Sequence, residues 1–280
     1  MYIKMALLLL LTGVIYAKGS DYISLSYDFL DFKNSKQKDA GKRITMHLQK
    51  NIERTKLSLA YEKTDTKTYQ PPLHEDLRVD KLYAKVKQKV SRQDIVSLGY
   101  IYIDDNIAPT DGTRIYSLGY ERRLQQGFHL GATLYYGDFS VLNTYQYNLM
   151  AKYTTSYNDL LMTFIAQGDY IDLDKCSNNF CKNAQNSYTY GVVKGKFDYK
   201  KYFLHMGLTV GKRAFSVMRD GFSCSHHAME FNKTYMAGFG KRFDSFALKV
   251  RYVYLEATEL PLNNSGVKIE DVMLRVQYFF

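Results

Sequence analysis

From residue 21 onward, polar and apolar side chains trade places at every second position, in runs of about ten to thirteen residues broken by turn-forming segments. A period of two belongs to a strand with two unlike faces. A helix would need apolar positions three and four apart. The runs fall near 21–32, 40–50, 54–66, 79–90, 94–106, 112–122 and 127–138, and then near 144–154, 159–171, 186–197, 201–213, 229–241, 245–257 and 269–280. This predicts an all-β chain of about fourteen antiparallel strands, with twelve to sixteen as the range. The faces are distinct. In 245–257, Phe246, Leu248, Val250, Tyr252 and Tyr254 oppose Ala247, Lys249 and Arg251. In 127–138, Phe128, Leu130, Ala132, Leu134 and Tyr136 oppose His129, Gly131, Thr133 and Tyr135.

The connections alternate in length. Short ones lie at 51–52, 91–93, 124–126, 156–158, 199–200 and 242–244. Long ones lie at 33–39, 67–78, 172–185, 214–228 and 258–268, with modest ones at 107–111 and 139–143. A soluble sandwich has no reason to alternate so regularly. A transmembrane barrel does, with short turns on the periplasmic side and longer external loops. Strands of this length match what a tilted strand needs to cross a bilayer. In hydrocarbon the sheet must also close, because an open edge leaves backbone groups unsatisfied.

The first residues point to the same compartment. Lys4 precedes an apolar run from Met5 to Val14, and Ile15-Tyr16-Ala17 supplies a small residue at a cleavage point. This is the layout of a secretory signal, cut after Ala17 to leave a single barrel domain over 18–280. Past this signal no apolar stretch reaches the length of a membrane-spanning helix. The composition agrees: 26 Tyr and 16 Phe stand against 4 Pro and no Trp, so Tyr must supply the interfacial girdles. The formal charge of +10 invites a nucleic-acid reading. The cations, however, alternate with apolar residues inside strands, so no nucleic-acid partner is expected.

The last run reads Val272-x-Leu274-x-Val276-x-Tyr278-x-Phe280 and ends in an aromatic residue. Together with the signal segment, it resembles the C-terminal signature of Gram-negative bacterial outer-membrane β-barrel proteins of the porin-like superfamily. No motif selects one family within it. The resemblance implies an outer-membrane location, contact with outer-membrane lipid, and recognition of Tyr278 and Phe280 by the barrel-assembly machinery.

A barrel of about fourteen strands has room for water and small solutes. The expected function is that of a channel for passive diffusion of small hydrophilic solutes. With the apolar face toward lipid, the lumen receives Arg43, Lys56, Lys81, Lys85, Lys87, Lys152, Lys194, Lys196, Lys249, Arg251 and Arg275, against Asp28, Glu62, Glu121 and Asp169. Lys81, Lys85 and Lys87 form one ladder, and Lys194 and Lys196 another. Cationic ladders in a pore favour anions. The plainer reading is that these lysines solvate a wet lumen.

Two other function classes compete. A non-conducting structural or adhesion barrel would be plugged by its own loops. The plug or constriction candidate is 214–228, which carries Phe215, Met218 and Phe222. A barrel hydrolase would need a rim constellation, and Ser225, His226, His227 and Asp220 lie close in sequence without a hydrolase motif. The chain is therefore read as a non-enzyme with no cofactor. Cys176 and Cys181 share one long loop and are the disulfide candidate. A metal site from Cys224, His226 and His227 is a lesser alternative.

Overall fold

Backbone pairing runs from each long strand to the next through a full circle. The computed structural model describes residues 21–71, 73–107, 109–174, 176 and 179–280; the expected signal segment 1–17 lies outside them. The strands are β1 (Tyr22–Lys33), β2 (Lys38–Ile52), β3 (Thr55–Thr68), β4 (Leu77–Lys89), β5 (Asp94–Asp105), β6 (Arg114–Arg123), β7 (Phe128–Phe139) and β8 (Leu142–Tyr157). They continue as β9 (Leu160–Leu173), β10 (Ser187–Tyr199), β11 (Tyr202–Arg213), β12 (Val217–Met218), β13 (Ser223–Cys224), β14 (Met229–Arg242), β15 (Phe246–Glu259) and β16 (Asn264–Phe279). Fourteen of them close one antiparallel barrel, while β12 and β13 form a separate small hairpin. Closure is made by β1 on β16, from Tyr22 opposite Phe279 to Lys33 opposite Lys268. The fold is the up-and-down outer-membrane β-barrel.

Three of the expected loops are shorter than their sequences suggest. The segment 33–39 contracts to 34–37, 139–143 to Ser140-Val141, and 258–268 to 260–263. In the last case the ladder continues through Glu256 opposite Lys268 and Ala257 opposite Val267. Burying Ala257 and Val267 with Phe32, Met229 and Ile269 rewards the longer strands.

On the opposite end, the tightest turns are Glu53-Arg54, Asn158-Asp159 and Lys200-Lys201. The first residue of each has positive φ, 51°, 49° and 51°. Left-handed backbone there matches the right-handed twist of paired strands. Gly127 has φ +82°, and a Cβ there would meet Thr154 O at 2.1 Å, so this turn requires glycine.

The outer face is apolar. Leu98, Leu149 and Val193 are 61%, 67% and 60% exposed. With Leu25, Phe29, Leu118, Leu130, Val210, Val250 and Leu274 they form a band that water would penalise and hydrocarbon accommodates. Exposed Tyr rings border it on both sides. Tyr157, Tyr199, Tyr202 and Tyr278 sit at the short-turn ends of their strands, and Tyr116, Tyr136, Tyr145 and Tyr170 toward the loop ends. Tyr thus fills the place that Trp shares in many barrels.

Candidate functional site

The strands' second face turns inward, and the barrel holds part of its own chain there. Residues 214–228 leave β11, enter the lumen, turn in the β12–β13 hairpin and return to β14. Val217 pairs with Cys224 and Met218 with Ser223. Asp220 and Gly221, with φ 59° and 88°, make the reversal. Asp-Gly suits such a turn because both residues tolerate positive φ.

Two kinds of contact hold the hairpin against one side of the wall. The first is apolar. Phe215, Val217, Cys224 and Ala228 join inward residues of β4 to β10, among them Val79, Tyr83, Ile103, Ile115, Tyr135, Ile171 and Tyr188. The Phe215 ring lies 5.5 Å from that of Phe139 and 6.3 Å from that of Phe180. Phe222 lies 4.9 Å from the ring of His47. Met218, in β12, lines the cavity beside the hairpin. The Cys176–Cys181 disulfide is formed, and its loop packs on the same cluster through Cys181, Phe180 and Ala184.

The second kind is polar, and β4 supplies most of it. Lys85 Nζ donates to Asp220 Oδ1 at 2.6 Å and to its carbonyl at 3.0 Å. Lys87 Nζ is 2.6 Å from Asp220 Oδ2. Lys81 Nζ bridges Glu62 Oε1, at 3.0 Å, and the Cys224 carbonyl, at 3.2 Å. From β8, Gln146 brackets Val217: its Oε1 accepts the Val217 N–H and its Nε2 donates to the Val217 carbonyl, both at 2.8 Å. Gln146 thereby satisfies a small strand edge as a neighbouring strand would. Desolvation inside the lumen raises the half-exposed Asp220 carboxyl, but Lys87 and Lys85 outweigh it and hold the group below the ordinary carboxylate value.

The lysine ladder of β4 is thus committed to the hairpin. The other expected cations lie elsewhere. Lys194 is 3.2 Å from Gln167 Oε1, Lys196 2.9 Å from Asp198, and Lys249 2.9 Å from His205 Nδ1. Lys249 stands opposite Arg275 across the β15–β16 ladder. Together with Lys56 of β3 they make the short-turn half of the lumen basic. On the wall of β1, β2, β15 and β16, Arg251 and Arg43 share two carboxylates. Arg43 Nη2 reaches Asp28 at 2.7 Å and Asp271 at 2.6 Å, and Arg251 Nη2 reaches them at 2.9 Å and 3.3 Å.

A cavity of about 460 Å³ lies in the lumen beside the hairpin, lined from all round the barrel, by Arg43, Glu121, Asn148, Asp169 and Asp271 among others, and by Asp220, Ser223 and His226 on the hairpin side. This volume falls in the range of small-molecule pockets. At its edge Arg213 is fully buried between the rings of Tyr190 and Phe231, at 5.7 Å and 5.2 Å. A bulge between Val210 and Arg213, with Gly211 at φ 106°, sets it there.

The suggested hydrolase residues do not assemble. Asp220 is held by Lys85 and Lys87, whereas His226 and His227 face Asp105 of β5. Ser225 uses its N–H on the Ser216 carbonyl, and among the described residues no hydrogen bond joins its hydroxyl to a histidine. Cys224 does not join His226 and His227 as a ligand set either. Its side chain is in the apolar cluster, and burial pushes the thiol up to about 12. Asp105, Gln146, Arg213 and Asp271 went unnoticed in the sequence. Asp271 shares the parity of Met273 and Arg275, which was a usable signal. Gln146 and Arg213 had none, since their roles depend on where 214–228 folds.

No protein-family model matches the chain, and no curated protein sequence matches it. Solved structures do resemble it. The CymD monoaromatic hydrocarbon channel aligns with a TM-score of 0.57 at 8% identity, over 94% of this chain and 89% of that one. The Ralstonia pickettii toluene transporter TbuX gives 0.59 at 8% identity, over 94% and 90%. The Acinetobacter baumannii outer membrane protein Omp33 gives 0.52 at 10% identity, over 94% and 100%. At such identities the likeness is one of fold, and the shared fold is the outer-membrane barrel.

Proposed function

We propose that the chain is an outer-membrane channel for passive diffusion of small hydrophilic solutes, narrowed by its own 214–228 hairpin. The observation that carries this reading is the cavity beside the hairpin. The lumen is neither filled by side chains nor left as a wide bore, and what stays open is lined by charged and polar groups such as Arg43, Glu121, Asp169 and Asp271 interspersed with apolar ones such as Met150, Leu208 and Ile269. Solute passes through the space left beside the hairpin. Selection is then by size in the gap and by charge below it. Lys56, Lys194, Lys249 and Arg275, with Lys196 and Arg242 outnumbering the one Asp198 they share, give the short-turn vestibule an anion preference. Lys81, Lys85 and Lys87 contribute less to selectivity, because each is paired, with Glu62, Asp220 or Glu121, and they serve mainly to hold the hairpin. The reading includes no catalytic step, and no turnover of lipid or peptide substrates is expected. Assembly would use the final strand, with Tyr278 and Phe280 read by the barrel-assembly machinery.

The test is planar-bilayer recording of the refolded protein under a salt gradient. The account expects small, stable steps with a reversal potential on the anion side. Cation selectivity would remove the role given to the vestibule. A heat-stable barrel that never conducts would favour the second reading, a sealed structural barrel, for which the apolar packing of the hairpin on β4–β10 is the supporting observation.

A further inference from the structure

At its C-terminal base the hairpin meets the wall in a cluster that the channel reading does not use. Asp105, at the end of β5, points one carboxylate oxygen at two adjacent imidazoles. Its Oδ2 is 3.2 Å from His226 Nε2 and 2.9 Å from His227 Nε2. The three ligand-capable atoms lie within 4.8 Å of one another. Neighbouring residues on an extended chain send side chains to opposite sides, so two consecutive imidazoles converging on one oxygen is a built arrangement. Their rings lie 4.0 Å apart. Asp105 and His226 are buried, and both histidines border the cavity.

We propose that Asp105, His226 and His227 form a binding site for a divalent transition-metal ion of the zinc type, which ties the hairpin to the barrel wall. Two imidazole nitrogens and one carboxylate oxygen are a suitable donor set, and the fourth position opens to the cavity, where water can fill it. Donors about 2.0–2.1 Å from a tetrahedral ion stand roughly 3.3 Å apart. The observed separations from the carboxylate need only small adjustments to reach that value. The carboxylate is already oriented: Oδ2 accepts from Thr110 Oγ1 at 2.7 Å and Oδ1 from the Ile107 N–H at 2.9 Å. Such outer contacts are what fixed metal ligands usually have.

Lys38 is the competitor. Its Nζ lies 3.1 Å from His227 Nδ1 and donates to it, so the ring proton sits on Nε2 and points at Asp105. To bind the ion, His227 must free the Nε2 lone pair, and the ring proton moves to Nδ1. The lysine ammonium then loses its nitrogen acceptor, keeps only the weak Met229 Sδ acceptor at 3.5 Å, and must turn away from the ring. Removing the lysine therefore tightens metal binding, a consequence that a purely hydrogen-bonded cluster would not have. The site rests on the fold and does not require the barrel to conduct.

The experiment is titration of the refolded, chelator-stripped full chain with Zn²⁺ by equilibrium dialysis, and with Co²⁺ by absorption. One ion per barrel is expected, with Co²⁺ d–d bands of a tetrahedral nitrogen–oxygen site and no sulfur charge-transfer band. His226→Ala and His227→Ala should each lower affinity by at least about tenfold, and Lys38→Met should raise it. Heat-modifiable migration checks that each variant is a folded barrel. The Co²⁺ spectrum of the unaltered chain keeps the test valid if a variant misfolds. No stoichiometric ion in the unaltered chain, or affinity unchanged in folded His226→Ala and His227→Ala, would overturn the site. A sulfur charge-transfer band would move it to Cys224.

Discussion

The two sides of the lumen use the same residue types in opposite ways. On the β4–β10 side, Lys81, Lys85 and Lys87 reach away from the wall to a carboxylate and carbonyls that the hairpin brings. On the side of β1, β2, β15 and β16, Arg43 and Arg251 are satisfied within the wall by Asp28 and Asp271. The first side holds the hairpin through several ion pairs and carbonyl contacts, whereas the second touches it mainly through His47 against Phe222 and Lys38 against His227. That asymmetry anchors the hairpin mainly on one side, while the open space beside it is lined from all round the barrel. Sign of charge alone does not decide what a lumen cation does. What decides it is whether its partner comes from the wall or from the loop.

The largest point effect should follow from Arg251→Met. It leaves Asp28 and Asp271, both buried, sharing one guanidinium. Breaking such a buried group costs about 3–5 kcal/mol. The urea midpoint of the barrel should fall while the hairpin stays in place, so conductance per folded channel should hold. A rise in conductance would mean that the two walls are not independent.

Next comes the latch. In the pair Lys85→Met and Lys87→Met, Asp220 loses both cationic partners, and single-channel conductance should rise severalfold with frequent open–closed flicker. Barrel stability should change less than with Arg251→Met, because Asp220 is half-exposed and its ion pairs are partly screened. Gln146→Leu should act in the same direction more weakly, by orphaning the N–H of Val217 at about 1–3 kcal/mol, its carbonyl keeping the Tyr190 hydroxyl at 3.5 Å. Chemical labelling of an introduced cysteine at Ser223 would report the loosening.

Acid should imitate the latch variants. Lys87 and Lys85 hold the Asp220 carboxyl below its ordinary value of 3.8. A group with a depressed folded value stabilises fully above the unfolded value and loses that contribution as pH falls through the folded one. Hairpin anchoring should therefore stay constant from neutral pH to near 4 and weaken below it. Asp220→Asn should remove this dependence. The smallest effect expected is on selectivity: Lys196→Gln with Lys249→Gln should move the reversal potential toward zero by a modest amount, without changing the hairpin.

The outer half of the structure was legible because lipid enforces parity strictly. The exposed outward positions from Leu25 to Tyr278 are mostly apolar, so strand number, order and faces could be read directly. The inner half was less so. Val79, Tyr83, Ile101, Ile103 and Ile115 point inward yet are apolar, so their strands look apolar on both faces. Strands covered on both faces read that way, and this was the signal that something fills the lumen beside β4–β6. The hairpin itself was hidden by its two-residue strands, which no periodicity can reveal. Asp220-Gly221 marked the turn, but not the wall against which it would fold. Pairings such as Lys85 with Asp220 and Asp105 with His227 join residues more than a hundred positions apart, and nothing local encodes them.

The most direct test of the central claim is single-channel recording of the barrel in which residues 216–225 are replaced by a short Gly-Ser link, beside the unaltered chain. If the hairpin narrows the lumen from within, the shortened barrel should migrate as a folded species and conduct in steps many times larger, without flicker. Equal conductance from the two would mean that the hairpin does not occupy the path, and would contradict the account.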